Sequence, residues 1–309
     1  MSAEPIRYFD RYKQTVETEQ VYGEKWLRWT YETSLGRLAL GLLVKRAIVS
    51  RYYGWKMSTR ASANKVIPFI VDYDLNVDEF AKKAFSFKSF NEFFYRALKE
   101  DARPIAHETD STGSPRSVDR IAVLPADGRH LAFQDVDAAP GFYAKGQKFS
   151  LESFLGDAAL AAEFAGGSLL ISRLCPVDYH RFHFPVAGRP SEPRLINGWL
   201  YSVSPIALRQ NLAYLWENKR MVTLVESPVF GRVAVCEIGA TMVGSIFQTF
   251  TPGRAATKGE EKGLFKFGGS CVVTLFQKNR IRLDADLVKH SAEGLEVYAK
   301  MGDRLGEAL

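Results

Sequence analysis

The sequence predicts an α+β chain, with an N-terminal helical region followed by a β-rich domain of antiparallel, sandwich- or barrel-like form. Two observations carry this. From Ile121 onward, short runs rich in β-branched and aromatic residues recur about every ten residues between Gly, Pro and Asp turns, a spacing that suits antiparallel sheets. No βαβ rhythm with a glycine-rich phosphate loop interrupts them.

In chain order, residues 18–53 read as helix, having no proline and few β-branched clusters. Pro68 is expected to close a second short segment. Residues 78–99 also read as helix, because Phe80, Ala84, Phe87, Phe90, Phe94 and Leu98 recur at three- and four-residue spacing. Such a stripe marks core rather than a ligand cage. Ser, Thr, Gly, Pro and Asp make 106–120 a linker or exposed loop, which divides a helical region (1–105) from the β-rich domain (121–309). Strands are expected at 121–124, 130–133, 168–173, 221–227, 232–238, 271–277 and 281–284, with helices at 151–164 and 205–216.

Cys175, Cys236 and Cys271 stand singly and form no C-x-x-C pair, so neither a disulfide framework nor a cysteine zinc site is indicated, and a reducing compartment is expected. The start lacks the apolar core of a signal peptide, and no apolar stretch reaches the ~18 to 20 residues that span a bilayer. Between Gly36 and Arg60 lie Arg37, Lys45, Arg46, Arg51, Lys56 and Arg60 without a single Asp or Glu, interleaved with aliphatic residues and with Tyr52, Tyr53 and Trp55. That mixture suits the headgroup zone of an anionic bilayer, and equally a helix packed on its own domain or on a second subunit. No nucleic-acid partner is expected.

Three segments carry chemistry. An apolar, strand-like run is interrupted by Gly268-Gly269-Ser270-Cys271, Asp178-Tyr179-His180-Arg181-Phe182-His183 supplies two imidazoles, and Leu124-Pro125-Ala126-Asp127-Gly128 supplies a carboxylate. Alone, each has a plain reading: a bulged strand, core or surface histidines, and a turn. In this order, with Ser89-Phe90-Asn91-Glu92-Phe93-Phe94-Tyr95-Arg96, Arg103-Pro104-Ile105, Lys148–Gly156, Ile196-Asn197-Gly198, Asn218-Lys219-Arg220 and Val243-Gly244-Ser245-Ile246, they resemble the phosphatidylserine decarboxylase family over most of the chain.

That resemblance implies a self-processing proenzyme. Cleavage between Gly269 and Ser270 would give a large chain (1–269) and a small chain (270–309), with Ser270 converted to a pyruvoyl group. It implies Ser270 as nucleophile, His183 as base, Asp127 as the carboxylate that orients it, and His180 as proton donor or positioning group during decarboxylation. Ser202 is a candidate headgroup contact. One departure is Cys271, where the family usually has Thr or Ser.

The chemistry is coherent with these residue types. An amine loses its carboxylate only if the electrons left behind have a sink, and a carbonyl made from the protein's own serine supplies one without a metal or pyridoxal phosphate (PLP). A glycine before that serine leaves the scissile carbonyl open to attack. The implied partners are phosphatidylserine, an anionic membrane surface and the two chains of one precursor, and the implied location is the cytoplasmic face of the cell membrane; homo-oligomerisation is left open. The nearest alternative is a soluble pyruvoyl decarboxylase of a free amino acid, and one of another class is a lipid-binding protein without catalysis. A metal hydrolase lacks H-E-x-x-H, and a serine hydrolase lacks the G-x-S-x-G elbow.

Overall fold

A computed structural model describes residues 5–45, 47–108, 119–137, 149–241, 246–268 and 270–309. Its strands are β1 Arg7–Asp10, β2 Thr15–Thr18, β3 Ile121–Val123, β4 Gly128–Phe133, β5 Ser168–Leu174, β6 Arg181–His183, β7 Arg189–Pro190, β8 Arg194–Ile196, β9 Arg220–Ser227, β10 Gly231–Gly239, β11 Ile246–Gln248, β12 Glu261–Phe265, β13 Ser270–Phe276, β14 Ile281–Leu283, β15 Glu296–Ala299 and β16 Arg304–Ala308. The helices are α1 Glu24–Glu32, α2 Ser34–Ala39, α3 Ala47–Met57, α4 Val66–Asp72, α5 Phe90–Phe94, α6 Leu151–Leu155, α7 Ala158–Phe164, α8 Pro205–Leu208, α9 Tyr214–Glu217 and α10 Ala285–Ala292, with a π-helical stretch at Leu40–Val44. The α+β class is as expected.

The main sheet runs β2-β1-β15-β4-β5-β13-β10-β9-β7, with β8 also on β9. Two three-stranded sheets, β11-β12-β6 and β14-β16-β3, complete the pairing among the described residues. All three sheets are open, so the fold is not a closed barrel. Every residue of β5 and β13 is buried, because both faces of the central sheet are covered. Alternation sends Leu170, Val235, Val272 and Phe276 into one apolar layer, shared with Phe182, Phe184 and Phe265, and sends Ile171, Cys236, Cys271 and Val273 into the other. Ser270 follows the parity of Val272 and so belongs to the face covered by β6 and β12.

Several sequence expectations need correction. Residues 18–53 are not one helix: Thr18 ends β2, and Thr33, extended at φ −101° and ψ 152°, separates α1 from α2 by accepting the Gly36 N–H on its hydroxyl. Pro68 does not close a segment but sits in the first turn of α4, where its missing N–H has no helical acceptor to lose. Residues 78–99 form 3-10 turns at Val77–Glu79 and Ala84–Ser86 and only one short helix, α5. The Phe stripe is buried nonetheless, since Phe80, Phe87, Phe90, Phe93 and Phe94 share a cluster with Met57, Val66 and Phe69. Tertiary packing thus supplies what helical periodicity was taken to mean. The helices expected at 151–164 and 205–216 are each split, the first at Gly156 and the Asp157 cap on Leu160 N–H. Of the linker expected at 106–120, residues 109–118 lie outside the described residues; Lys258 Nζ holds its ends through the Ala106 and Ile121 carbonyls and Asp119.

The hairpin β1–β2 has no counterpart in the sequence-based expectation. It adds to the main sheet through a parallel pairing of β1 with β15. The last forty residues are therefore woven into the rest: β13 lies between β5 and β10, β15 between β1 and β4, and β16 pairs with β3.

Candidate active site

Ser270 opens β13, opposite Leu174 on β5 and Gly239 on β10, and is fully buried. Its Oγ has no hydrogen-bond partner among the described residues. A buried hydroxyl without a partner costs stability, and Ser270 shares this state with Thr223 and Thr274 of the same sheet. The approach to it is fixed from the helical side. Asn91 Oδ1 accepts the Phe267 N–H at 2.9 Å, while the rings of Phe90 and Phe94 lie 5.2 and 4.9 Å from that of Phe267. Gly268 follows at φ 137°, a conformation that side-chain-bearing residues resist. Gly269, the expected cleavage residue, lies outside the described residues.

Asp127 is buried just ahead of β4. Its Oδ2 accepts from Arg103 Nη2 at 2.6 Å, and its Oδ1 accepts from Arg103 Nε and the Met301 N–H, both at 2.9 Å. Arg103 also pairs with Glu79, which Lys300 holds from its other side. The next residue, Gly128, allows close strand contact, since a Cβ there would sit 2.4 Å from the Arg173 carbonyl oxygen. Asp127-Gly128 is thus a buried anchor, not a surface turn.

His183 ends β6, where Glu261 of β12 is its register partner. Its Nδ1 donates to the Gly259 carbonyl at 2.9 Å, and the Tyr179 hydroxyl lies 3.3 Å from Nε2. A carbonyl can only accept, so Nδ1 carries the proton and Nε2 is the basic end. Burial lowers its pKa despite the Gly259 carbonyl, Glu261 and Asp127, which act the other way. The tautomer is therefore set by a backbone carbonyl. Asp127 makes no hydrogen bond to this ring and acts on it through charge alone, a different arrangement from the orienting contact expected from sequence.

His180 is completely buried, its ring centroid 3.7 Å from that of Phe94. Nδ1 donates to the Asp178 carbonyl at 3.0 Å, whereas Nε2 lacks a partner of proper geometry among the described residues. Burial pushes its pKa down to about 3, and the nearby Gly268 carbonyl offsets this only in part. The ring is thus neutral at pH 7 and can hand on a proton only after taking one up. Asp178 itself is pinned by Arg129 at 2.6 Å and by the Cys175 N–H.

Ser202 stands apart from these groups. It lines a cavity of about 280 Å³, whose walls include Trp26, Leu27, Tyr53, Arg173 and Gly268. Ser202 Oγ accepts the Ser204 N–H at 3.1 Å, and its own N–H donates to Tyr31 Oη at 2.7 Å. Gly268 is where this cavity meets the processing segment. Asp127, His180, His183 and Ser270 are not among its walls. Among the described residues, no cluster of three His, Cys, Asp or Glu side chains could hold a metal. The contributions of Asn91, Arg103, Tyr179 and Gly259 went unassigned in the sequence, although the first three lie within motifs already singled out.

Cys271 points to the opposite sheet face from Ser270, into the layer with Ile171, Cys236 and Val273. Burial raises its thiol pKa, so it is a poor nucleophile in place. Cys271→Thr should retain both chain cleavage and activity, and mass spectrometry should find the small chain starting at the same residue. A small chain that begins one residue later in the wild type, with its sulfur missing, would contradict this.

Residues 90–307 match the sequence model of the family described as phosphatidylserine decarboxylase. A protein of Chlamydia trachomatis serovar D named phosphatidylserine decarboxylase proenzyme is 45% identical over 307 residues, covering 99% of each chain. Proteins of the same name from Fusobacterium nucleatum and Clostridium novyi are 40% and 41% identical over 306 and 304 residues, covering 99% and 98% of this chain and 99% and 100% of theirs.

Proposed function

The chain belongs to the phosphatidylserine decarboxylase family, and from that membership we propose how its own residues carry the reaction. It is a phosphatidylserine decarboxylase, a carboxy-lyase of phospholipid synthesis that yields phosphatidylethanolamine and CO2, and it is made as a proenzyme. The finer proposal is that the chain cuts itself between Gly269 and Ser270 and that Ser270 becomes the pyruvoyl group. The observation that carries it is the buried Oγ of Ser270, without a hydrogen-bond partner among the described residues, two positions after Gly268 at φ 137°. Once formed, that group supplies the electron sink for loss of the carboxylate.

His183 Nε2 is the base that takes the Ser270 proton, with Gly259 fixing the ring and the charge of Asp127 favouring the imidazolium that results. His180, beside Gly268, serves the later decarboxylation. Because strands of the small chain are interleaved with those of the large one, the two should stay together after cleavage. Intact-mass analysis of purified protein tests the proposal: the expected products are chains of 1–269 and 270–309, the latter with a blocked N-terminus. A protein that remains one chain after prolonged incubation would refute it.

Access to a lipid is provided by the helical region. Leu35, Leu38, Leu42, Ile48, Tyr52 and Trp55 are all more than half exposed on α2, α3 and the π-helical stretch between them. Arg37, Lys56 and Arg60 are exposed beside them, and Trp26, Leu27 and Tyr53 of the same region line the cavity that reaches Gly268. No helix among the described residues is long and apolar enough to cross a membrane. We therefore assign this face to peripheral attachment at an anionic, cytoplasmic leaflet. Arg46 and the side chain of Arg51 lie outside the described residues, and Lys45 is already engaged over the Trp199 ring at 4.2 Å. Flotation with anionic vesicles should weaken as salt rises; Lys56→Gln/Arg60→Gln should float less at low salt and respond less to added salt, while the apolar share persists. Equal flotation on neutral and anionic lipid, indifferent to salt, would rule out the electrostatic part.

A further inference from the structure

Two opposite charges lie in the core between the main sheet and the small sheet that carries His183. Lys262 of β12 and Glu237 of β10 are both completely buried, with Lys262 Nζ 2.7 Å from Glu237 Oε1. Lys262 Nζ also donates to Gln248 Oε1 of β11 at 2.9 Å, and Gln248 Nε2 donates to Glu237 Oε2 at 2.6 Å, so the three side chains close a ring across three strands. The rings of Phe182 and Phe250 border the ammonium, their centroids 5.5 and 5.0 Å away. Apolar side chains of similar volume commonly fill such a place at least as stably as an ion pair does, so stability alone is a poor account of this one.

The register of β12 supplies a better account. Glu261 pairs with His183 and Gly263 with Phe182, which leaves Lys262 as the extra residue of a β-bulge. Because of that irregularity Lys262 and Phe265, three residues apart, are both buried toward the main sheet, which plain alternation forbids. Just before the bulge the chain wraps His183. Gly259 N–H donates to the Phe184 carbonyl at 2.8 Å, Phe184 N–H donates to the Glu260 carbonyl at 2.9 Å, and the Gly259 carbonyl accepts from His183 Nδ1 at 2.9 Å. Losing the bulge would slide this turn along β6 by one residue, about 3.3 Å, and a hydrogen bond does not survive such a shift.

We propose that Lys262 is a positioning residue for self-cleavage: tied to Glu237 and Gln248, it holds the β12 bulge, and the bulge keeps the Gly259 carbonyl on His183 Nδ1, so that Nε2 remains the basic end. This rests on the reading of His183 as the base that takes the Ser270 proton. The ion pair acts through His183 rather than on the reacting atoms.

Glu237→Gln/Lys262→Met in the full-length chain tests this, since it removes both charges while the new amide can still pair with Gln248. Lys262→Met alone would strand a buried carboxylate and threaten the fold itself. The double variant should melt within a few degrees of the wild type and cleave about 10²-fold more slowly, the low end of what a general base contributes. In the non-cleaving Ser270→Ala background, nitrogen-15 NMR should find His183 protonated on Nδ1 when Glu237 and Lys262 are present, and divided between Nδ1 and Nε2 in the double variant. Loss of the signal in His183→Gln identifies it. Three results would overturn the assignment: an unchanged His183 tautomer in the double variant, whatever its cleavage rate; a divided tautomer with wild-type cleavage while His183→Ala is slow; or failure of the double variant to fold, which would make the pair a plain structural element. If His183→Ala cleaves as fast as the wild type, the base reading fails instead, and the tautomer still decides whether Lys262 sets the ring.

Discussion

Ser270→Ala protein stays a single chain of 309 residues and releases no CO2 from phosphatidylserine. The loss is complete because one residue serves both stages, its hydroxyl first as nucleophile and its α-carbon then as the carbon of the reactive carbonyl. No neighbour can replace it: Cys271 faces the other side of the sheet, buried in an apolar layer that raises its thiol pKa. Stability should not suffer, since the hydroxyl removed has no hydrogen-bond partner among the described residues to lose. Electrophoresis, CO2 release and a thermal melt on one preparation check all three points. Appearance of the 270–309 fragment from Ser270→Ala would show that another group begins the reaction.

His183→Ala and His180→Ala should fail at different stages. Removing His183 takes away the base and should slow cleavage by about 10²- to 10⁴-fold, the usual contribution of general base catalysis. His180→Ala should still mature to some extent, and the matured fraction should decarboxylate poorly. Asp127→Asn provides an internal comparison. Its amide can still accept the Met301 N–H, and the Gly259 carbonyl still sets the His183 tautomer, so what is lost is negative charge and the Arg103 pair. Cleavage by Asp127→Asn should accordingly be slowed less than by His183→Ala. A larger loss would mean that the carboxylate contacts the imidazole during the reaction. Equal cleavage defects in the two histidine variants would refute the division of roles.

The central strands were legible because they are long and apolar on both faces. β5, β9, β10 and β13 all fall where runs of Val, Ile and Leu placed them. β1, β2, β6 and β15 were not, being three or four residues long and rich in Arg, Tyr, Glu or Thr. What makes them strands is a neighbour far away in the chain, as Tyr8 finds Glu296. The Phe stripe at 78–99 misled for the converse reason, since its spacing satisfies a helix but its burial is achieved through turns. Buried ion pairs were equally hidden. Arg173 meets both Glu19 and Glu296 at 2.5 Å across most of the sequence.

By itself the sequence determined the chemical inventory: a serine after two glycines, two histidines three residues apart, a carboxylate, and the ordered motifs that mark the family. These are legible because reactive groups and the small residues that expose them are contiguous. Only the tertiary structure decided how the groups are set: that Gly259 rather than Asp127 fixes His183, that Asp127 belongs to Arg103, and that the strands on either side of the proposed cut interlock. Each depends on the register of strands and helices brought together from distant parts of the chain, and a hydrogen bond made or missed there turns on an ångström or so of placement that no local pattern encodes.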